Sequence, residues 1–416
     1  MLKFDRFTLD NGLRFLVHRD KTTAMLAMNI VYDVGSRDED PEKTGFAHLF
    51  EHLMFGGSVN IPKYDEPLQK AGGSNNAFTN NDITNYYLTL PSANAKTAFW
   101  LESDRMTGLA FSEKSLEIQR QVVVEEFRQN YLNQPYGDIW MLLRSLAFKV
   151  HPYQWTTIGK MPAHIEQATM DDVKDFYTRF YHPGNAIVSI AGNLKLKEVQ
   201  KLAEKWFAGI PPGVKHCRKI TPEPIQTEHR FLKVEREVPA CRLMIAFHMS
   251  PKFAADYFTF DLLSDLLGWG NSSRLYQALV IRKKLFSEIN AFITGDHDPG
   301  LLIISGRLNP GISIDEANEA IWREIDLVRK AAPNKKDLIK IKNKSLANMA
   351  YENISLLNRA MNLAFAENLG DAAWVNHLPA RYTSVTAEDI SEVAREYLTK
   401  NNASTLYYCS SNKSVS

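Results

Sequence analysis

The opening stretch, MLKFDRFTLDNGLRFLVHRD, carries two short mixed apolar and polar runs separated by Asp10-Asn11-Gly12. That pattern predicts a strand, a tight turn and a second strand. An apolar run over 26–34 (LAMNIVYDV) predicts a further strand, with an amphipathic helix soon after it. Positions 242–250 (RLMIAFHMS) repeat that order in the second half. Asn76-Ala77-Phe78-Thr79 heads a strand through Tyr86, Tyr87 and Leu88, and Asn290-Ala291-Phe292-Ile293 leads in the same way to Leu301, Leu302, Ile303 and Ile304. Long helical patterns follow in each half, over 93–131 and 314–352. Last come Thr169-Met170-Asp171-Asp172-Val173 and Thr386-Ala387-Glu388-Asp389-Ile390. Each opens with the spacing of a capping box, runs on as a helix, and turns through polar residues into an apolar strand.

Matched pieces in one order predict an internal duplication. The expected fold is α+β: two homologous tandem domains, 1–210 and 229–416, each a mostly antiparallel sheet packed with helices. The Pro-rich polar stretch 211–228 reads as an extended linker.

Composition narrows the function classes. The chain has 416 residues, 49 basic against 48 acidic, and a net charge of +1, so nothing in it favours a nucleic-acid partner. Cys217, Cys241 and Cys409 lie far apart with no CxxC pair, which argues against a disulfide framework or a thiolate metal site. They are expected to be small buried apolar residues. The N-terminus has the form of neither a signal nor a transit peptide, and no apolar run has the ~18 residues needed to cross a bilayer. The expected compartment is therefore the cytoplasm, or the periplasm if a leader has been removed.

The chemistry is concentrated in 45–57, GFAHLFEHLMFGG, whose apolar positions recur at helical spacing. His48 and His52 stand at i and i+4, so their imidazoles share one helix face a turn apart, where a tetrahedral Zn²⁺ can use both. Glu51 sits on nearly the same face, placed to take a proton from water beside the metal. This is the His-x-x-Glu-His order, an inversion of the commoner zincin motif. A surface cluster or hydrogen-bonded core histidines would be the bland alternative. Apolar flanks would then bury three titratable groups without a partner, at several kcal/mol.

A catalytic zinc site needs a third protein ligand from another element. Glu125 and Glu126 are the candidates, in a predicted helix over 119–128; being adjacent they point about 100° apart, so only one can face the metal. Glu126 shares a stripe with Val122 and Val123, expected to point inward, which favours it over Glu125.

These residues resemble the pitrilysin and mitochondrial processing peptidase family, which pairs His-x-x-Glu-His with a glutamate farther along; here Glu126 follows His52 by 74 positions. Arg120, Val123 and Glu126 match the family's Arg-x-x-Val-x-x-Glu, which strengthens Glu126. The resemblance implies a zinc metalloendopeptidase acting on unfolded peptides, one Zn²⁺ per chain, with the chain forming half of a clamshell chamber. It also implies that the strand carrying Asn76, Ala77 and Phe78 pairs with substrate backbone, Gly72 and Gly73 easing the approach. The second half offers only FDLLSDLLGWG (260–270) against the histidine helix, and so no second metal site.

Two departures stand out. Gln119 replaces a second acid that many relatives carry. The arginine and tyrosine that the family places after a Ser-Arg-Leu-aromatic turn are missing: after Ser273-Arg274-Leu275-Tyr276, Val280 and Ser287 stand at those positions, and no tyrosine occurs in 277–350. That pair polarises the scissile carbonyl in the family. Its absence implies a heterodimer in which a paralogous subunit supplies it, with a homodimer or a non-catalytic assembly subunit as the rival readings.

Overall fold

The computed structural model describes residues 1–214 and 218–411; His216 and Cys217 lie outside them. Its eleven described strands form two sheets. β1 (Asp5–Thr8), β2 (Arg14–Arg19), β3 (Met25–Tyr32), β4 (Ser74–Thr79), β5 (Thr84–Pro91) and β6 (Ala186–Gly192) make the first, in the order β1-β2-β6-β3-β5-β4. β7 (Arg230–Arg236), β8 (Arg242–His248), β9 (Phe286–Ile293), β10 (Leu301–Leu308) and β11 (Ala403–Ser410) make the second, in the order β7-β11-β8-β10-β9. β1 apart, the two orders match strand for strand. Each sheet is antiparallel except for one parallel pair, β2 with β6 and β7 with β11. The duplication expected from the sequence is thus a duplication of topology.

Local chemistry explains the matching pieces. Thr169 and Thr386 cap the helices Met170–Phe180 and Ala387–Tyr397 through reciprocal bonds with Asp172 and Asp389, and each helix leads into the strand at the same place of its sheet. Gly12, at φ +86°, makes the turn between β1 and β2. The two long helical patterns each resolve into a helix pair, Ala95–Thr107 with Glu113–Phe127 and Ile314–Lys330 with Lys335–Glu352.

The packing units are not the contiguous stretches 1–210 and 229–416. One compact unit comprises Met1–Arg128, Trp155–Ile220 and Met349–His377; the other comprises Gln129–Gln154, Thr221–Asn348 and Leu378–Ser416. Each sheet is covered by a helix drawn from the other half of the sequence. In the first unit, Leu363 and Ala364 of the helix Leu356–Asn368 pack on Leu16, Val31 and Ile187, while Ala360 meets Ala27 and Ala191. In the second, Ile139, Leu143 and Ala147 of the helix Ile139–Ala147 pack on Met244, Ala246, Ile303 and Leu406. Burying each large apolar side chain stabilises by about 1.5–3 kcal/mol, enough to set which sheet a segment joins. Tandem reading of the sequence did not reveal this exchange, because an apolar helix face does not state which sheet it will cover. As units of the repeat, 1–210, 211–228 and 229–416 remain our proposal. No helix among the described residues is long and apolar enough to cross a membrane.

Candidate metal centre

The helix Phe46–Leu53 carries the three motif residues. It starts at Gly45, whose φ of +93° and contact with Ile158 O, 2.6 Å from where a Cβ would lie, leave room only for glycine. Glycine has no side chain to cap the exposed N–H groups, and a remote carboxylate does so instead. Glu39 accepts from Gly45 N and Ala47 N, both at 2.9 Å, and from the Trp155 indole at 3.2 Å. An acceptor there also complements the positive end of the helix dipole. Burial is nevertheless the larger influence, and the Glu39 carboxyl is pushed up to about 8. On the underside, Phe50 stacks on Phe176 and Tyr181 with centroids at 4.9 and 5.1 Å. Apolar packing below and a carboxyl clamp at one end fix the helix.

His48 and His52 project from its other face, their rings 4.8 Å apart and nearly perpendicular. The helix Glu113–Phe127 brings Glu126 to both: Glu126 Oε2 lies 3.7 Å from His48 Nε2 and 3.5 Å from His52 Nε2. Arg120 ties that helix down by donating to Glu166 O and Ala168 O at 3.1 and 3.2 Å. Glu125 points elsewhere, with 53% of its side chain exposed beside Arg128. One expectation fails in detail. Val123 is buried, but Val122 is 44% exposed, so the stripe holding Glu126 runs along the edge of the core, one side in and the other out.

The donor set fits a metal ion. Bonds of ~2.0–2.2 Å in a tetrahedron separate donor atoms by roughly 3.4 Å, and one donor atom from each of His48, His52 and Glu126 lies within 4.8 Å of the others. Among the described residues no other group of three such side chains converges. Burial pushes His48 down to about 4, so its imidazole is neutral and able to donate a lone pair across the neutral range. Glu126 is held below the ordinary carboxylate range, first by its hydrogen bond with His52. His48 Nδ1 is buried without a protein partner.

Glu51 does not join this set. Its Oε2 accepts from Thr79 Oγ1 at 2.8 Å, at the end of β4. Burial raises the Glu51 carboxyl, and the Thr79 bond partly offsets that. β4 is an edge strand. The Ala77 N–H is met by the side chain of its neighbour, Asn76 Oδ1, at 2.8 Å, whereas Phe78 packs edge-to-face on Phe365 and offers only backbone. Gly72 and Gly73 serve the turn into this strand: Gly72 has φ +72°, and a Cβ on Gly73 would strike Leu68 at 2.5 Å.

Val280 lies in the π-helical segment Tyr276–Arg282, and Ser287 on β9 accepts from Arg307 Nε at 3.1 Å. His164, His182 and His248 serve backbone or hydroxyl partners. Sequence reasoning missed Thr79 and Glu39. Both sit apart from the motif in sequence, and only the fold brings their oxygens to it.

Residues 14–159 match the family described as Insulinase (Peptidase family M16), and residues 167–345 match the one described as Peptidase M16 inactive domain. The chain is 29% identical to the zinc protease PqqE of Helicobacter pylori, over 97% of this chain and 92% of that protein. It is 27% identical to a probable mitochondrial-processing peptidase subunit beta of Schizosaccharomyces pombe, over 72% of this chain and 68% of the relative. A crystal structure of a protease from Helicobacter pylori superposes with a TM-score of 0.93 at 28% identity, covering 98% of this chain and all of the other.

Proposed function

The chain belongs to peptidase family M16, and from that premise we propose that it is a zinc-dependent metalloendopeptidase cleaving internal bonds of unfolded peptides. The observation that carries this reading is the convergence of His48, His52 and Glu126, with Glu51 hung beside them from Thr79. His48, His52 and Glu126 would hold one Zn²⁺ per chain. Zinc, when bound, supplies a Lewis acid that polarises the scissile carbonyl and brings the pKa of water to about 7.

The protein's own groups do the rest. Thr79 occupies one oxygen of Glu51 and fixes the carboxylate plane, which leaves the other oxygen to take a proton from the attacking water. Burial makes Glu51 a stronger base than an exposed glutamate. The same carboxyl then delivers the proton to the leaving amine. An extended peptide adding to the edge of β4 at Asn76, Ala77 and Phe78 would take over the Ala77 N–H from the Asn76 side chain, which serves as a placeholder.

With Val280 and Ser287 at the positions discussed, this chain brings no arginine and tyrosine to the substrate carbonyl. We therefore read it as the catalytic subunit of a dimer around an enclosed chamber, with a paralogous chain contributing that pair. A quenched-peptide assay tests both parts. The purified chain alone should turn over weakly and gain strongly on adding the paralogue, and Glu51→Gln should abolish turnover while keeping zinc. Full activity from the lone chain would remove the partner, and activity surviving Glu51→Gln would remove the base. An intact zinc content without activity in any combination would leave a non-catalytic assembly subunit.

A further inference from the structure

Cys241 and Cys409 are 168 positions apart in the chain, yet the second unit sets them side by side. β8 and β11 run antiparallel with Tyr408 opposite Arg242, so the next rung places Cys409 opposite Cys241. One contact fixes that rung: Ser410 N donates to Cys241 Sγ at 3.3 Å, and Cys241 lies near enough to Cys409 to help push its thiol up. Opposed residues of an antiparallel pair have Cα atoms roughly 4.5–5.5 Å apart, inside the roughly 4.4–6.8 Å that a disulfide spans. The surrounding backbone is already pinned: the Tyr136 hydroxyl donates to Ala240 O at 2.7 Å, and Ser410 Oγ donates to Val238 O at 2.6 Å. Both cysteines are free thiols here.

We propose that Cys241 and Cys409 form a reversible cross-strand disulfide that staples the last strand, β11, to β8. β11 lies between β7 and β8, so the staple fastens the strand that completes the second sheet. The partners divide the chemistry by exposure. Cys241 is half-buried and meets the oxidant, while Cys409, 8% exposed and set beside it, is shielded from the oxidant and resolves the intermediate. The oxidant is a small-molecule disulfide. The Cys241 thiolate attacks one of its sulfurs, the small S–S bond breaks, and one small thiol leaves with a proton. The Cys409 thiolate then attacks the Cys241 sulfur and expels the second small thiol. Two protein thiols are oxidised, one small disulfide is reduced to two thiols, and both protons leave on those products.

The test uses the full chain carrying Cys217→Ser, equilibrated with graded ratios of oxidised to reduced glutathione and read by intact mass, peptide mapping and thermal unfolding. The expected product is lighter by two hydrogen atoms, carries no glutathione and links the two peptides. Its unfolding midpoint is higher by roughly 10 °C, because the closed loop is long. Adding Cys409→Ala should leave glutathione bound to Cys241. Glutathione retained on Cys241 of the parent, or no reaction under oxidising ratios, overturns the proposal; so does a bond that forms without moving the midpoint. The parent protein's mass decides the matter even if the alanine variant fails to fold.

Discussion

The helix Phe46–Leu53 follows β3, and the helix Tyr257–Gly268 follows β8, the strand at the matching place of the second sheet. The first carries HLFEH and the second DLLSD, with polar residues at the same three relative positions, so His48, Glu51 and His52 can be compared with Asp261, Ser264 and Asp265. Both helices present two polar side chains one turn apart on a largely buried element. In the first, burial keeps His48 neutral, and Glu126 of the following helix pair closes the set. In the second, Asp261 accepts from the Tyr382 hydroxyl, and Asp265 accepts from Ser345 at 3.4 Å. Burial and then the neighbouring Asp261 push Asp265 up to about 7. The spacing is a property of the helix. A metal site would need neutral donors at that spacing and a carboxylate delivered from elsewhere.

Four measurements would break or sharpen that contrast. The largest effect should follow His52→Ala, which removes a proposed ligand: zinc should be lost on dialysis and kcat/KM should fall by about a thousandfold or more. Asp261→Ala on the other helix should leave the zinc content unchanged.

The second concerns pH. Asp265 has an ordinary carboxyl value of 3.8 when unfolded and about 7 when folded. Between those values the folded chain keeps a proton that the unfolded chain releases, so this contribution is fully present below about 4 and lost as pH rises through about 7. The second unit should lose on the order of 2–4 kcal/mol across that window, and Asp265→Asn should flatten the slope. Denaturant midpoints taken at several pH values would show it, and an unchanged slope in the variant would place the titration elsewhere.

A smaller effect is expected for Thr79→Val, which keeps the shape and deletes the hydroxyl holding Glu51. kcat should drop about tenfold, with the zinc content unchanged and the acidic limb of the pH–rate profile moved upward, because the bond that lowers the Glu51 carboxyl is gone. Smallest of all, Val122→Asn should change stability by less than about 0.5 kcal/mol, since Val122 is exposed. Val123→Ala, in the core beside it, should cost about 1–3 kcal/mol.

The duplication and the three motif residues were legible in the sequence because both rest on local periodicity. The succession of strand and helix patterns, the caps and the i,i+4 spacing are written within a few residues. Glu126 was legible from its helix together with the family spacing, although the reason given was partly wrong: Val122 faces out. What could not be read depends on contacts between distant segments. Glu39 reaches the N-terminus of the histidine helix across a loop, Thr79 meets Glu51 from the end of an edge strand, and the helix Leu356–Asn368 covers a sheet built from the other half of the chain. Cys241 and Cys409 belong to the same class, since only the β8–β11 register makes neighbours of them.

The most direct test of the metal reading is zinc stoichiometry combined with X-ray absorption at the zinc edge, on the wild-type chain and on Glu126→Gln. The wild-type chain should hold one zinc bonded to two imidazole nitrogens and a carboxylate oxygen, and the variant should bind it at least tenfold more weakly. Zinc held equally well by the variant, or a coordination shell without two imidazoles, would contradict the assignment.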